Sequence, residues 1–166
     1  MDFINVKTDA EIDLLANLAD EIWHEYWTII LSSEQIDYMV EKFQSNTAIQ
    51  NQIKEEGYIY NILKDKDNNI GYFGVAPKEN YLFMSKLYIK KDFRKLGYGK
   101  LAFDEIKKLA IKCGKKKIQL TVNKNNINTI KAYEKWGFKC IDAVVTDIGF
   151  GFVMDDYILE FSLEEN

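Results

Sequence analysis

Between Leu87 and Lys100 an apolar run, Leu87-Tyr88-Ile89, passes into a basic turn, Lys90-Lys91-Asp92-Phe93-Arg94-Lys95, and then through Leu96-Gly97-Tyr98-Gly99 into a segment with helical spacing. No other stretch constrains the fold as strongly. Downstream, Ala102, Ile106, Leu109 and Cys113 make one apolar stripe of a helix that Gly114 is placed to end. Ile118, Leu120 and Val122 then alternate as a strand. A strand, a helix and a strand in this order close as a right-handed crossover between parallel strands. The unit from Met84 to Val122 is therefore expected to set one parallel pair inside a larger sheet.

The flanking segments supply the rest of that sheet. Phe3 to Lys7 reads as a first strand, and Thr8 with Glu11 makes a capping box ahead of Leu15, Leu18, Ala19, Ile22, Trp23 and Tyr26 at helical spacing. Ser32 with Gln35 opens a second helix through Ile36, Met39, Val40 and Phe43, and a third runs from Asn46 to Glu55 before Gly57. Tyr58–Leu63, Ile70–Val75 and Tyr81–Ile89 read as strands, the first two joined by the turn cluster 65–69. A short helix over Ile127–Trp136 stops at Gly137, and two strands follow, Phe138–Thr146 and Phe152–Leu163, the latter with Tyr157, Leu159, Phe161 and Leu163 on one face. The expected class is α/β: a mixed, mostly antiparallel sheet with helices on both faces, in one domain over residues 1–166.

Composition narrows the function classes. A hydrophobic fraction of 47% with 29% charged residues fits a globular chain and argues against disorder. No apolar run reaches the roughly 18–20 residues of a membrane span, and the acidic, mixed N-terminus is unlike a signal peptide, so a cytoplasmic protein with no membrane partner is expected. The single histidine, His24, excludes a His-rich metal site, and Cys113 and Cys140 fit no zinc or redox spacing; no metal is expected. The net charge of −4 divides unevenly: Lys86 to Lys139 carries +12 and the rest −16. One segment is suited to an anion and the others to a cation. The acidic total and the lack of an aromatic-plus-basic motif argue against a nucleic-acid partner, although Lys115-Lys116-Lys117 forms a basic run.

The chemistry concentrates in the glycine-bearing loop. The first turn of a helix has unpaired N–H groups and a positive dipole end, which favour an anion such as phosphate. Gly97 and Gly99 allow close backbone approach, successive N–H groups can form a nest, and Arg94, Lys95 and Lys100 add charge. The loop lacks the third glycine and the later acid of a dinucleotide fingerprint, and it lacks the Gly-Lys-Ser/Thr ending of a Walker loop.

A second stretch runs Leu120-Thr121-Val122-Asn123-Lys124-Asn125-Asn126-Ile127-Asn128-Thr129-Ile130-Lys131-Ala132-Tyr133-Glu134-Lys135-Trp136-Gly137-Phe138. Together the two stretches resemble motifs A and B of the GCN5-related N-acetyltransferases (GNAT). The family's Arg/Gln-x-x-Gly-x-Gly/Ala corresponds to Arg94 through Gly99, and its strand–Asn–helix–Tyr–Gly–Phe pattern to Val122, Asn126, Tyr133, Gly137 and Phe138. The resemblance implies that the parallel pair splays and that acetyl-CoA lies between its strands. Backbone N–H groups of Lys95, Leu96, Gly97, Tyr98, Gly99 and Lys100 would hold the pyrophosphate. The backbone of Leu87, Tyr88 and Ile89 would pair with the pantetheine arm and polarise the thioester carbonyl. Arg94 belongs to the same cofactor set, Asn126 would contact the cofactor arm, and Lys135 would reach its phosphate end. Tyr133 would lie near the sulfur and protonate the leaving thiolate. Family members are often dimers, so a homodimer is an expectation of the same kind.

The acceptor in this family attacks the thioester directly, which leaves no nucleophilic role for the cysteines. An amine with a pKa of about 10.4 arrives protonated and needs a base. Where some members place a glutamate this chain reads Phe83-Met84-Ser85-Lys86; Glu25, Asp155 and Asp156 remain as candidates, and Thr129 replaces the usual alanine. The acceptor side is built from the first helices and last strands, here holding Glu21, Glu25, Glu34, Asp37, Asp147, Asp155 and Asp156, with Trp23, Tyr26 and Trp27 available to shape a pocket. Glu25, Tyr26 and Asp155 are the substrate-side candidates. A small cationic amine, and loosely a polyamine as in bacterial spermidine/spermine N-acetyltransferases, is the expected acceptor. Acetylation of a protein N-terminus or an aminoglycoside, and a non-catalytic acetyl-CoA sensor, are the alternatives.

Overall fold

A computed structural model describes residues 1–164; the last two residues of the expected 1–166 domain lie outside the described residues. The chain order is β1 (Asp2–Asn5), α1 (Asp9–Tyr26), a 3-10 turn (Trp27–Ile29), α2 (Ser33–Gln44), α3 (Asn46–Glu55), β2 (Ile59–Asp65), β3 (Asn68–Pro77), β4 (Leu82–Ile89), a 3-10 turn (Lys91–Phe93), α4 (Tyr98–Lys112), β5 (Lys117–Asn123), α5 (Ile127–Trp136), β6 (Lys139–Gly149) and β7 (Phe152–Ser162). The strands form one sheet in the order β1-β2-β3-β4-β5-β7-β6. Every neighbouring pair is antiparallel except β4 and β5, which are parallel.

Local chemistry explains where the first three helices begin. Thr8, Ser32 and Ser45 each accept a backbone N–H of the first turn through the side-chain hydroxyl, and Glu11 completes the capping box by accepting from the Thr8 N–H. The β2–β3 turn is tighter than the sequence cluster 65–69 suggests. Both strands continue into it, Asp65 pairs with Asn68, and only Lys66 and Asp67 remain outside, Lys66 with φ +54°. Likewise β6 runs to Gly149, beyond the expected end at Thr146, because its pairing with β7 extends to Gly149 opposite Phe152.

Two apolar clusters cover the two faces. One joins α4 and α5 to the sheet through Phe103, Ile106, Tyr133, Phe138, Leu159 and Phe161. The other joins α1, α2 and α3 through Leu15, Ile22, Trp23, Ile36, Ile49 and Tyr60. β4 contributes to both, and it changes parity on the way. Val75 of β3 faces Met84 and Gly74 faces Lys86, so Ser85 has no opposite residue: it is a β-bulge. Before it Leu82 and Met84 point to the α4 side; after it Leu87 and Ile89 do, and Tyr88 faces the α1 side.

The bulge also accounts for how little β4 and β5 share. They pair only at Leu82–Ile118 and Phe83–Gln119, after which β5 stays with β7 while β4 stays with β3. A bulge bends and overtwists its strand, and β4 parts from β5 just before it, after the last shared pair at Phe83. Gly74, opposite Lys86, is needed for a different reason: a Cβ there would lie 2.5 Å from the Tyr60 ring, which is fully buried. Gly74→Ala is expected to destabilise the fold by on the order of 1–3 kcal/mol through overpacking, seen as a lower urea midpoint at unchanged slope; an unchanged midpoint would mean that Tyr60 is free to move.

Candidate active site

The splay exposes backbone. Lys90 donates its N–H to Ile70 O (2.8 Å) on β3, and in an antiparallel pair inward and outward residues alternate. Tyr88 therefore also bonds toward β3, while the N–H and C=O groups of Leu87 and Ile89 face the gap left by β5. The Ile89 carbonyl is taken by Arg94 Nε at 2.8 Å. The Leu87 N–H and C=O and the Ile89 N–H have no partner on β5.

At the open end of this gap the chain makes the loop into α4. Lys95 has φ +62° and Gly97 φ +88°. Gly97 is required by that left-handed conformation, since a Cβ would meet nothing within 4 Å. At Gly99 the neighbour is the Trp136 ring, 3.4 Å from where a Cβ would stand. As the N-cap of α4, Gly97 has no side chain to cap with, and the first helical bond is Leu101 N–H to Gly97 O. The N–H groups of Tyr98, Gly99 and Lys100 thus point out of the helix end without a capping partner, unlike those of the first three helices.

Leu87, Tyr88, Ile89, Arg94, Lys95, Gly97, Gly99, Lys100, Tyr133 and Lys135 line one cavity of about 560 Å³ with Tyr26. Two residues of the loop point elsewhere: Leu96 is exposed, and Tyr98 donates its hydroxyl to Asp65 (2.8 Å) on the β2–β3 hairpin. Neither lines the cavity. Arg94 is held twice, by the Ile89 carbonyl and by Glu25 (2.8 Å), with its guanidinium 4.9 Å from the Tyr26 ring centre. It fastens β4 and the loop to α1. Asn126 donates to the Tyr26 hydroxyl (2.7 Å), which is 2.6 Å from Thr129 Oγ1. Asn126 therefore tethers α1 to α5, and Thr129 uses the hydroxyl that an alanine would lack. Phe93, Asn128, Ala132 and Trp136 also line the cavity without carrying a recognisable sequence signal; only their proximity in the fold selects them.

Tyr133 is buried, and its hydroxyl has no hydrogen-bond partner among the described residues. Burial pushes its pKa up, with the nearby Tyr26 phenol adding to the effect, so the phenol stays protonated. Of the three carboxylates expected as bases, Glu25 is tied to Arg94, and Asp155 is exposed and tied to Lys124 (2.7 Å). Asp156 is different. It pairs across the sheet with Asn123 at the end of β5, is only 4% exposed, and lies close enough to Tyr88 for its charge to act on that phenol. Loss of water, then the charge of Asp155, pushes Asp156 up to about 6, against the opposite pull of Lys124.

A second cavity, of about 430 Å³, lies on the α1–α3 face. It is lined by Trp23, Phe83, Ser85, Lys86, Thr121 and Met154 among others. Phe83, Ser85 and Thr121 border the splay, so the two cavities flank the same gap. Cys113 and Cys140 are free and line neither.

Comparison with known proteins agrees with this geometry. The chain matches the Acetyltransferase (GNAT) family over residues 16–138. Among solved structures it is similar to the PaiA N-acetyltransferase of Thermoplasma acidophilum in complex with coenzyme A, with 23% identity, a TM-score of 0.80, and coverage of 98% of this chain and 99% of that one. It is also similar to a ribosomal-protein-alanine N-acetyltransferase of Brucella melitensis (14% identity, TM-score 0.69, 98% and 100% covered). A third likeness is to yncA of Salmonella typhimurium with its cofactor acetyl-CoA (14% identity, TM-score 0.67, 100% and 95% covered). No curated protein matches by sequence.

The raised pKa of Asp156 carries a stability consequence with a defined sign. Between the ordinary value near 3.8 and about 6 the folded state binds the extra proton, so stability falls as pH rises through that window and the loss is complete above it. Asp156→Asn is therefore expected to raise the thermal midpoint at pH 7.5 and to match the parent at pH 4; equal midpoints at both would show that the carboxylate is not desolvated.

Proposed function

The chain belongs to the GNAT family of acetyltransferases, and on that premise we propose that it transfers the acetyl group of acetyl-CoA directly to the primary amine of a small acceptor. The observation that carries the reading is the alignment, along one cavity, of the unpaired β4 backbone at Leu87 and Ile89 with the uncapped start of α4. When bound, acetyl-CoA supplies the activated acetyl thioester. The uncapped N–H groups at the start of α4, with Lys95 and Lys135 lining the same cavity, suit its diphosphate and phosphate charge. In this reading the Leu87 N–H, unpaired toward the gap, stabilises negative charge on the carbonyl oxygen in the transition state.

The protons follow from the environments of two groups. Asp156, ionised above about pH 6, accepts the proton that the acceptor ammonium must lose. Tyr133, kept protonated by burial, gives its proton to the departing thiolate. The amine nitrogen forms the new amide bond and gives up its second proton, which restores the Tyr133 phenol; the thioester C–S bond breaks, and neither cysteine takes part.

The acceptor class is less generous to a polycation than the acidic segments suggest. Glu21 is paired with Lys90 (3.0 Å), Glu25 with Arg94, Asp37 with His24 (2.5 Å) and Asp155 with Lys124. Much of the charge asymmetry of the sequence is thus neutralised within the fold. Asp156 is the buried carboxylate left without a hydrogen-bond partner among the described residues, and one carboxylate suits one ammonium group. A polyamine remains one such acceptor, beside a peptide N-terminus or an aminoglycoside.

Three outcomes are expected. Saturating acetyl-CoA raises the thermal midpoint, because a ligand bound only by the native state stabilises it; no shift at saturation rejects the assignment. Tyr133→Phe lowers kcat at least tenfold with little change in KM for acetyl-CoA, measured by thiol release. In the parent, kcat/KM rises with pH through an apparent pKa near 6, and Asp156→Asn removes that limb together with most of the activity; a retained limb assigns the base elsewhere.

A further inference from the structure

We propose that the cavity on the α1–α3 face is the acceptor site and that Lys86 anchors a carboxylate at the far end of the acceptor, making the substrate an amine that also carries an acid group. This rests on the acetyltransfer reading above and narrows its acceptor.

By shifting the parity of β4, the bulge at Ser85 turns Lys86 onto the α1–α3 face, where the α4 side would have offered only apolar core. Opposite Lys86 stands Gly74, with the Tyr60 ring over it. The amine accordingly lies 6.0 Å from the Tyr60 ring centre and 5.0 Å from that of Tyr58, over β3 and β2 and away from the β4–β5 gap. Lys86 is only 8% exposed, yet it lines the cavity.

An ammonium group has three protons to donate. Here one acceptor is present, Ser85 Oγ at 2.6 Å, which also receives the Tyr58 hydroxyl proton at 3.2 Å. Glu56, the one carboxylate lining the cavity, is exposed and forms no ion pair with Lys86. Lys42, the other lysine there, already donates to the Ile148 carbonyl (2.6 Å). Burial pulls Lys86 down to about 7, with the charge of Glu56 acting in the opposite sense. A buried donor left in this state is costly, and an anionic oxygen brought by a ligand would both fill the vacant donor directions and restore the charge.

The layout sets the acceptor's shape. Phe83 and Thr121 mark the end of the cavity at the splay, where the amine must meet the thioester and where Asp156 stands one strand further on. Lys86 and Tyr58 mark the other end. The two ends are one to two strand spacings apart, on the order of 5–10 Å. A short ω-amino acid or an amino acid with a terminal amine spans that distance. A diamine would place a second cation against Lys86, which the cavity disfavours.

The test uses three five-carbon acceptors in the thiol-release assay: 5-aminovalerate, pentylamine and cadaverine. The full chain is expected to favour 5-aminovalerate at least tenfold in kcat/KM over both others. Lys86→Met is expected to lose that preference through a higher KM for 5-aminovalerate, with acetyl-CoA still raising its thermal midpoint; Lys86→Gln serves as a second variant. Valerate, which has no amine, is expected to raise the midpoint of the coenzyme A-bound parent and not of Lys86→Met, a readout independent of turnover. A preference for cadaverine, equal discrimination by parent and Lys86→Met, or no stabilisation by valerate overturns the acid-group assignment. Absence of any stabilisation by acetyl-CoA overturns the acetyltransferase reading instead.

Discussion

The parting of β4 from β5 is the constraint on which the rest of the molecule depends. Two parallel strands that begin with paired residues at Leu82–Ile118 and then separate leave main-chain donors and acceptors unsatisfied in the middle of a sheet. Such groups are tolerated only if something else satisfies them. Arg94 does so for the Ile89 carbonyl; the others are available to a ligand. The cost of the gap is contained because both strands are held from outside, β4 by β3 along its length and β5 by β7. The two apolar clusters then fill the faces on either side, so the opening is confined to the line where two cavities meet.

Charge is used in two distinct ways around that line. At the surface, Glu21 with Lys90 and Glu25 with Arg94 tie α1 to the segment leading into α4. Exposed pairs contribute at most about 1 kcal/mol each, so their value here is positional: they fix the angle at which the loop meets the first helix. In the interior, Asp156 and Lys86 are buried with little compensation, and burial moves their pKa values in opposite directions, up to about 6 and down to about 7. Neither helps the fold. Uncompensated buried charge of this kind gathers at functional sites, where the ligand completes it.

Much of the architecture was legible because the signals were local. Capping residues at Thr8 and Ser32, the apolar stripe of α4 and the alternation of β5 each lie within one element, and the expected order of elements is the observed one. The Arg94–Gly99 loop was legible for the same reason, since left-handed backbone at Gly97 and an uncapped helix start are properties of adjacent residues. What escaped was everything that depends on which residues meet across the fold. Arg94 reads as a cofactor contact and in the fold also braces α1; Tyr98 reads as part of the loop's face and turns to Asp65. Thr129 reads as a mere size substitution and supplies a hydroxyl to Tyr26.

The sequence by itself therefore determined the class of fold, the crossover and the anion-suited helix start, because periodicity and turn chemistry act over a few residues. Tertiary structure decided which acids are neutralised and which stay unpaired, since ion pairing depends on distances between segments that composition does not record. It also decided the face of Lys86. A bulge at Ser85 is a matter of register between β3 and β4, and the shift of one residue carries every later side chain of the strand to the opposite side.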